Sequence, residues 1–281
     1  MKQRIITSVV AFAILLPALI FADSLILPLL LCVCSVLAVY EMLACIGLGH
    51  SVAVSIPFYL VAMGMPIAIR YLGSTPYLGS IVLAALLLSV LYLFTVLIFS
   101  HGKYNVGQIS AAFFAIAYIL FGFNALIYIH DLEAGGEYVY LIAFIGAWMT
   151  DIFAYFCGLL FGRGGKHKLI PDVSPKKTVE GSVGGMVFCV LGMILFGMIV
   201  EALVPSVRAD LWILAASGLV VSVVAQIGDL SMSVIKRTYG VKDYGKIFPG
   251  HGGILDRFDS VIAVSVVLLV VCSFFNLFEV I

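Results

Sequence analysis

The most constraining feature of this chain is a series of long, continuously apolar stretches that cover most of its length. A helix needs about 20 predominantly apolar residues to cross a hydrocarbon core about 30 Å thick. Strands of a membrane barrel would alternate polar and apolar residues, whereas runs such as 81–88 are apolar throughout. We therefore predict an all-α, polytopic membrane protein. Its nine predicted spans cover about 5–22, 25–47, 52–69, 77–100, 106–129, 138–161, 184–204, 211–228 and 260–278.

Charged residues are too few for a soluble protein of this length. Asp, Glu, Lys and Arg make up 11% of the 281 residues, whereas a soluble domain carries roughly 25%. This composition excludes a water-soluble enzyme, a nucleic-acid binder and a disordered regulator. Residues 1–22 have the basic start and apolar centre of a signal peptide, but eight further spans favour an uncleaved first helix.

Positive charge is distributed unevenly between the two sides that nine spans would define. Thirteen Lys and Arg residues fall in the N-terminus and the loops of one side, and only Arg70 and Arg208 fall on the other. By the positive-inside rule, the first side faces the cytoplasm. We therefore expect a polar cleft on the cytoplasmic side of the helices.

Two segments, 162–180 and 229–259, hold 16 of the 30 formal charges in only 50 residues. If the eighth span continues as a helix beyond 228, a carboxylate, a hydroxyl and two cations share one of its faces. Glycine and proline then interrupt regular structure between 240 and 253, so the backbone there can approach a ligand closely. The residues on the shared face are Asp229, Ser233, Lys236 and Arg237.

Three aspartates lie at the predicted membrane boundary of the second segment. Asp256 and Asp259 open the ninth span, and Asp229 follows the eighth. Carboxylates at this depth are costly unless they are paired or liganded, and Mg²⁺ prefers carboxylate oxygens supplemented by water and substrate phosphates. We therefore interpret them as metal ligands. In the alternative, the nearby cations are membrane anchors and the aspartates are their ion-pair partners, which leaves the glycine cluster around His251 unexplained.

The first segment contains a basic pair, Lys176 and Lys177, between a Ser-Pro turn and a glycine-rich helix start. Point charges combined with open backbone N–H groups suit the binding of phosphate. The segment is not a Walker A loop, because Lys166 is followed by His167 rather than by Ser or Thr. Taken in isolation, a Lys-Lys pair is more typical of a cytoplasmic anchor.

Asp151 lies well inside the sixth predicted span, where an ionisable group is a candidate functional group by default. Tyr155 and Gly158 share its helical face, which leaves room for a cleft. The alternative is a structural carboxylate bonded to a neighbouring helix. We interpret Glu41 in the second span as structural, since nothing near it in the sequence indicates a site.

Segment 233–259 resembles the 27-residue signature of the phosphatidate cytidylyltransferases, also called CDP-diacylglycerol synthases. It reads Ser233-x-Ile235-Lys236-Arg237-x4-Lys242-Asp243-x-Gly245-x2-Phe248-Pro249-x-His251-Gly252-Gly253-Ile254-x-Asp256-Arg257-Phe258-Asp259. The length, the polytopic topology and two upstream motifs are also similar to the family. Those motifs are Asp151-x-x-Ala154-Tyr155 and Ser174-Pro175-Lys176-Lys177-Thr178-x-Glu180-Gly181. Ile152 departs from the small or hydroxyl residue expected there, and the first five spans resemble only apolar helices.

The resemblance implies a Mg²⁺-dependent transfer of CMP from CTP to phosphatidic acid, which yields CDP-diacylglycerol and pyrophosphate. Whether a second cation binds stays open. The implied partners are CTP, phosphatidic acid and membrane lipids, without nucleic acid, and a homodimer is an expectation by resemblance only. The implied location is a bacterial inner membrane, with the active site facing the cytoplasm.

The resemblance and the charge pattern together assign provisional roles. Residues 1–135 would form an N-terminal region of five spans, and residues 136–281 would form the catalytic region. The predicted metal ligands are Asp229, Asp256 and Asp259, and the further catalytic candidates are Lys236, Arg237 and His251. The predicted substrate-binding residues are Lys176, Lys177, Thr178, Ser233, Lys242, Asp243, Gly252, Gly253, Arg257 and Asp151.

Two other functions stay open at this point. A CTP-dependent lipid or polyprenol kinase, or a cytidylyltransferase for another lipid phosphate, would use similar phosphate chemistry on a different phosphorus or lipid. An ion-coupled transporter could place Asp151 and Asp229 along its path. Transporters often carry internal repeats, and the sequence shows none, while its charge is concentrated in two loops.

Overall fold

The structure is a computed structural model that describes residues 2–133, 135–162, 167–250 and 252–281, with only the backbone of residues 2–5 and 8. In these residues the chain forms nine helices and four short strands, which confirms the predicted all-α class. The helices are α1 (Lys2–Ile20), α2 (Ile26–Ile46), α3 (Val52–Leu72), α4 (Leu78–Phe99), α5 (Val106–His130), α6 (Gly136–Phe161), α7 (Val179–Leu203), α8 (Leu211–Thr238) and α9 (Leu255–Cys272). The strands are β1 (Lys168–Ile170), β2 (Ser174–Thr178), β3 (Val207–Ala209) and β4 (Phe278–Val280).

Seven of the described helices, α2 to α8, are long and apolar enough to cross a membrane. The chain is therefore an integral membrane protein. The apolar part of α1 is shorter, at Val9–Ile20, and α9 carries Asp256, Arg257 and Asp259 in its first turns. Each helix matches a predicted span in position, while a count of nine crossings stays a prediction.

Two boundaries extend or correct the predicted spans. The continuation of the eighth span is confirmed, because α8 runs on to Thr238. The prediction of helix up to 278 was wrong, since α9 ends at Cys272 and β4 pairs antiparallel with β3. This pairing satisfies backbone groups beyond the helix end and leaves Phe278 fully buried. A second antiparallel pair, β1–β2, forms within the basic segment 162–180.

The chain packs as two compact units. Unit 1 comprises Met1–Tyr128 and Val241–Arg257, and unit 2 comprises Ile129–Gly240 and Phe258–Ile281. The glycine-rich loop thus packs with the N-terminal helices, although it follows α8 in the sequence. The division into an N-terminal region, residues 1–135, and a catalytic region, residues 136–281, stays a prediction.

Unit 1 has its core on α2, which packs against α3. The side chains of Leu27, Leu31, Ala38 and Met42 are fully buried along α2. By contrast, α4 is apolar at nearly every position, and yet Leu93 is its only buried residue. Such a surface is unfavourable in water and favourable against lipid tails, as expected of a helix in a bilayer.

Unit 2 is built on α6, α7 and α8, which pack against one another. Phe153 of α6 stacks on Phe188 of α7, with ring centroids 4.1 Å apart. Thr178 caps the start of α7, because its side chain accepts a hydrogen bond from Gly181 N at 3.1 Å. The cap fixes where the basic strand β2 passes into the helix, which positions the side chains described below.

Candidate functional site

Unit 2 contains a cavity of about 620 Å³ bounded by α6, the β1–β2 hairpin, the start of α7 and α8. The cavity brings residues of both charged segments together, although they lie far apart in the sequence. Its wall includes five of the predicted site residues, namely Asp151, Lys176, Lys177, Thr178 and Asp229. The neighbouring wall is formed largely by small or apolar residues such as Ala154, Gly158 and Leu159.

An ion pair joins the two charged segments at this cavity. Lys177 Nζ of β2 contacts Asp229 Oδ2 of α8. The two side chains are 23% and 25% exposed, so the pair is screened by solvent much less than a surface salt bridge. Ser233, one turn further along α8, places its hydroxyl 3.5 Å from Asp229 Oδ1. The lysine is therefore held at the cavity by a carboxylate.

Two polar residues of the cavity wall, Ser182 and Gln226, were not predicted as site residues from the sequence. Ser182 donates a hydrogen bond from its hydroxyl to Gln226 Oε1 at 2.5 Å, and Gln226 Nε2 lies 3.4 Å from the Ser182 carbonyl oxygen. The pair links α7 to α8 beside Asp229. The signal in the sequence was the position of Gln226, an amide in an apolar span and one helical turn before Asp229.

A second group of polar residues forms where α9 passes α6 and α8. Ser260 N donates to Asp259 Oδ1 at 2.8 Å. The Ser260 hydroxyl lies 3.0 Å from Asp151 Oδ2 and 3.2 Å from Asp259 Oδ1, so it bridges the two carboxylates. Ser260 therefore connects Asp151, in the wall of the cavity, to the first turns of α9. Ser260 was not predicted as a site residue from the sequence.

Asp259 is a buried carboxylate with charged side chains around it. Asp259 is only 8% exposed, and the carboxylates of Asp229 and Asp151 both repel it, while Lys236 attracts it. Lys236 is itself only 8% exposed. Burying carboxylates near one another is costly unless a proton or a cation compensates their charge. This arrangement is thus suited to binding a cation.

Close packing of α8 on α9 brings these carboxylates near one another. A Cβ on Gly228 would lie 2.5 Å from Ala263 Cβ and 2.9 Å from the Asp259 carbonyl oxygen. Neither neighbour is the flexible end of a side chain, so the helices would have to separate. Gly228 therefore sets the spacing between the helix that carries Asp229 and the helix that carries Asp259.

Replacing Gly228 by alanine should destabilise the protein by about 1–3 kcal/mol, the usual cost of overpacking a tight contact. Thermal unfolding in detergent measures the change. Gly64→Ala is the matched control, because that glycine lies in α3, where an added Cβ would meet no neighbouring atom within 4 Å. The control should be neutral or stabilising by up to about 1 kcal/mol. Equal unfolding temperatures for the two variants would contradict the close approach.

Unit 1 holds the glycine-rich loop between α8 and α9. Phe248 and Gly252 form a short antiparallel bridge, with N···O distances of 2.9 and 3.1 Å. Asp256 Oδ2 accepts hydrogen bonds from Tyr244 N at 2.8 Å and Gly253 N at 2.9 Å. The carboxylate thereby ties both ends of the loop to the first turn of α9.

The structure thus distributes the predicted site residues over two units. Unit 2 holds Asp151, Lys176, Lys177, Thr178, Asp229, Ser233, Lys236, Arg237 and Asp259, and unit 1 holds Lys242, Asp243, Gly252, Gly253, Asp256 and Arg257. Lys176, Arg237, Lys242, Asp243 and Arg257 are exposed, whereas Thr178 and Ser233 are buried. His251 lies outside the described residues.

The donor atoms of unit 2 fit a hard divalent cation in kind. Carboxylate oxygens are the protein ligands that Mg²⁺ prefers, and Asp229, Asp151 and Asp259 supply them from three helices. In the described part of the chain, no three His, Cys, Asp or Glu side chains already converge as a metal-binding group. Mg²⁺ commonly keeps several waters and is completed by substrate phosphates, so a full protein cage is not required.

Comparison with known proteins gives the chain a family. The sequence pattern of the cytidylyltransferase family matches residues 2–275. A phosphatidate cytidylyltransferase of Staphylococcus saprophyticus is 34% identical over 260 residues, which cover 92% of this chain and 94% of the relative. Phosphatidate cytidylyltransferases of Staphylococcus haemolyticus and Staphylococcus aureus are 31% and 33% identical, with the same coverage. The chain therefore belongs to the cytidylyltransferase family.

Proposed function

We propose that this protein is a Mg²⁺-dependent phosphatidate cytidylyltransferase, which transfers CMP from CTP to phosphatidic acid and releases pyrophosphate. The observation that carries the proposal is the cavity of unit 2, where Lys177 pairs with Asp229 and Asp151 lines the same wall. Both aspartates lie on helices that are long and apolar enough to cross a membrane. The shared name of the relatives supports this choice of nucleotide and lipid.

The chemistry of this reaction explains why such a cavity is needed. A phosphomonoester has a second pKa of about 6, so phosphatidic acid already carries an anionic nucleophile near neutral pH. A strong general base is therefore unnecessary. The difficulty is to bring an anionic lipid phosphate against the α-phosphorus of a nucleotide that is itself highly charged. Catalysis should consist mainly of neutralising these charges and aligning the two reactants.

The charged side chains of the cavity supply complementary parts of that task. Lys177 can exchange its carboxylate partner for a substrate phosphate, and Lys176 lies next to it on the same strand. Lys236 adds a buried positive charge near Asp259, and Arg237 an exposed one at the end of α8. These cations can hold the phosphates of CTP and of the lipid in line for displacement.

Asp229, Asp256 and Asp259 are the proposed ligands of Mg²⁺. Within unit 2, Ser260 connects Asp151 to Asp259. The bound cation would neutralise negative charge that develops on the transferring phosphoryl group. The loop residues Lys242, Asp243, His251, Gly252 and Gly253, with Arg257, are proposed to contact the triphosphate or the leaving pyrophosphate.

The location of the site suits a soluble nucleotide and a lipid that stays in the bilayer. We propose that all nine helices cross a bacterial plasma membrane and that the cavity opens toward the cytoplasm. The distribution of Lys and Arg, 13 on one side and 2 on the other, supports this orientation. CTP would then reach the site from the cytoplasm, while phosphatidic acid would enter from the inner leaflet.

The reaction is tested with the purified protein in detergent, CTP labelled at its α- or γ-phosphorus, and either phosphatidic acid or diacylglycerol. We expect label from the α-position to appear in a lipid that retains cytidine, and only with phosphatidic acid. EDTA should reduce the rate to background, and excess Mg²⁺ should restore it, because the charges of both substrates would otherwise stay unneutralised.

Other outcomes would replace or reject the proposal. Transfer of γ-label to diacylglycerol without cytidine would identify a lipid kinase. Transfer that EDTA leaves unchanged would reject the role of the divalent cation. A lack of transfer from either position, for a protein that retains its thermal unfolding transition, would reject CMP transfer to phosphatidic acid and phosphorylation of diacylglycerol.

A further inference from the structure

Glu41 of α2 is a fully buried carboxylate for which neither the sequence nor the proposed chemistry provides a role. The residue is only 1% exposed, in a helix that is otherwise almost entirely apolar. Its two oxygens point to the segment before α9. Oε1 accepts a hydrogen bond from Ile254 N at 3.0 Å, and Oε2 accepts one from Leu255 N at 2.9 Å. A side chain from early in the chain thus binds the backbone more than 200 residues later.

The glycine-rich loop is shaped around this carboxylate. A Cβ at Gly245 or at Gly253 would overlap Glu41 Oε1, so neither position has room for a larger side chain. The loop backbone therefore touches the carboxylate from two places that are eight residues apart in the sequence. These glycines belong to the signature segment, and the sequence had suggested only that they open the backbone to a ligand.

Asp256 acts on the same loop from the other side. Its Oδ2 holds Tyr244 N and Gly253 N, and a Cβ on Gly252 would lie 2.6 Å from that oxygen. Glu41 and Asp256 together accept hydrogen bonds from four backbone amides between positions 244 and 255. Two carboxylates thus serve as the template for the loop conformation.

The amides that Glu41 binds also lie at the start of a helix. The first N–H groups of a helix have no partner within it, and a negative charge near them is favourable. Glu41 therefore caps α9 from a different helix. Because α9 carries Asp256 in its first turn, the cap fixes the position from which this side chain projects.

We propose that Glu41 is a positioning residue that fixes the glycine-rich loop and the first turn of α9 in the conformation required to bind CTP. This inference rests on the proposed function, which assigns the nucleotide phosphates to that loop. Glu41 itself touches backbone amides rather than substrate. Its loss should therefore impair the use of CTP more than the use of phosphatidic acid.

Three substitutions at Glu41 separate charge, shape and hydrogen bonding. Glu41→Gln keeps the shape of the side chain but turns an amide NH₂ group toward one backbone N–H. Glu41→Asp keeps the negative charge on a shorter side chain. Glu41→Ala removes both hydrogen-bond acceptors. We expect the KM for CTP to rise more than about tenfold in Glu41→Gln and further in Glu41→Ala, where the N–H groups of Ile254 and Leu255 both lose their acceptor. Glu41→Asp should lie closer to the wild type, and the KM for phosphatidic acid should stay within about twofold in all three, since its proposed contacts lie elsewhere.

Leu31→Ala is the matched control. Leu31 is as buried as Glu41 and lies on the same helix, about 15 Å away along its axis at 1.5 Å per residue. A cavity there should lower the unfolding temperature without changing the KM for CTP. If Leu31→Ala raised that KM as much as Glu41→Gln, the effect would belong to α2 in general and the inference would be wrong.

Hydrogen–deuterium exchange provides a readout that needs no enzyme activity. In folded Glu41→Gln, peptides that cover 244–258 should exchange at least about tenfold faster, while peptides from α6 and α7 should keep wild-type rates. Unchanged exchange in the loop, or an unchanged KM for CTP, would overturn the inference. Global unfolding of all three Glu41 variants, with Leu31→Ala still folded, would also overturn it in favour of a purely structural role. A wild type without CMP transfer would instead reject the proposed function, and the exchange result would still decide whether Glu41 holds the loop.

Discussion

Asp259→Asn is expected to lower the rate of CMP transfer by about 10²–10³-fold, the usual loss when one preorganised charge of a catalytic site is removed, without destabilising the protein. Asparagine keeps the shape of aspartate and retains an oxygen that can accept the hydrogen bond from Ser260 N. It removes a negative charge that is almost fully buried beside Asp229 and Asp151. The unfolding temperature should therefore stay the same or rise, because like-charge repulsion among these carboxylates is relieved.

This variant is informative because the rate should fall while the unfolding temperature stays the same or rises. Initial rates at saturating CTP and phosphatidic acid measure the first effect, and thermal unfolding in detergent measures the second. Asp210→Asn is the control, since Asp210 caps α8 through Trp212 N and Ile213 N, and asparagine is an equally good cap. The control should leave rate and stability unchanged. An Asp259→Asn enzyme with a rate near that of the wild type would show that this carboxylate is dispensable.

The helices could be predicted from the sequence because their signal is local. A stretch of about 20 apolar residues indicates a span by length and composition, whatever surrounds it. The sequence therefore placed α2 to α6 within a few residues of the observed bounds. The error at the end of α9 has a tertiary cause, since Phe278 is apolar but is buried by pairing with β3 rather than by helix formation.

The polar groups that meet in the site were predictable only in part. Charge density indicated the two segments that contain Lys177 and Asp229, because charge is rare elsewhere in the chain. Their ion pair was not predictable, since the spacing of residues along a sequence does not reveal which helices are neighbours. The roles of Ser260 and Gln226 depend on the same information. A serine or glutamine in a membrane helix is a weak signal until its partner on another helix is known.

The role of Glu41 was also not predictable, because it depends on contacts with residues far away in the sequence. It was interpreted as structural because nothing near it in the sequence indicates a site. Its partners, the amides of Ile254 and Leu255, come from a distant part of the chain. From the sequence, the glycines of the signature were interpreted as positions where the backbone can approach a ligand closely. Gly245 and Gly253 also leave space for the carboxylate of Glu41. A signature can thus reflect packing within the protein as well as contact with substrate.

Lys177→Met is expected to reduce both stability and activity, because it leaves Asp229 without its lysine partner. Truncating one member of a buried pair costs about 3–5 kcal/mol, and since both side chains are about a quarter exposed, we expect about 1–3 kcal/mol here. The rate of CMP transfer should fall about 10²–10³-fold through the loss of a charge proposed to hold phosphate. Lys176→Met is the control for stability, because Lys176 is exposed on the same strand, and it should change the free energy of unfolding by no more than about 0.5 kcal/mol.

The double variant Lys177→Met/Asp229→Asn separates the structural from the catalytic contribution of this pair. Removing both charges eliminates the uncompensated carboxylate, so the free energy of unfolding should recover by about 0.5–3 kcal/mol relative to Lys177→Met, the usual range of coupling between contacting residues. The rate should not recover, since both the phosphate-binding cation and a proposed metal ligand are then missing. Recovery of activity along with stability would mean that Lys177 and Asp229 only hold β2 against α8, and the reacting phosphates would have to bind elsewhere.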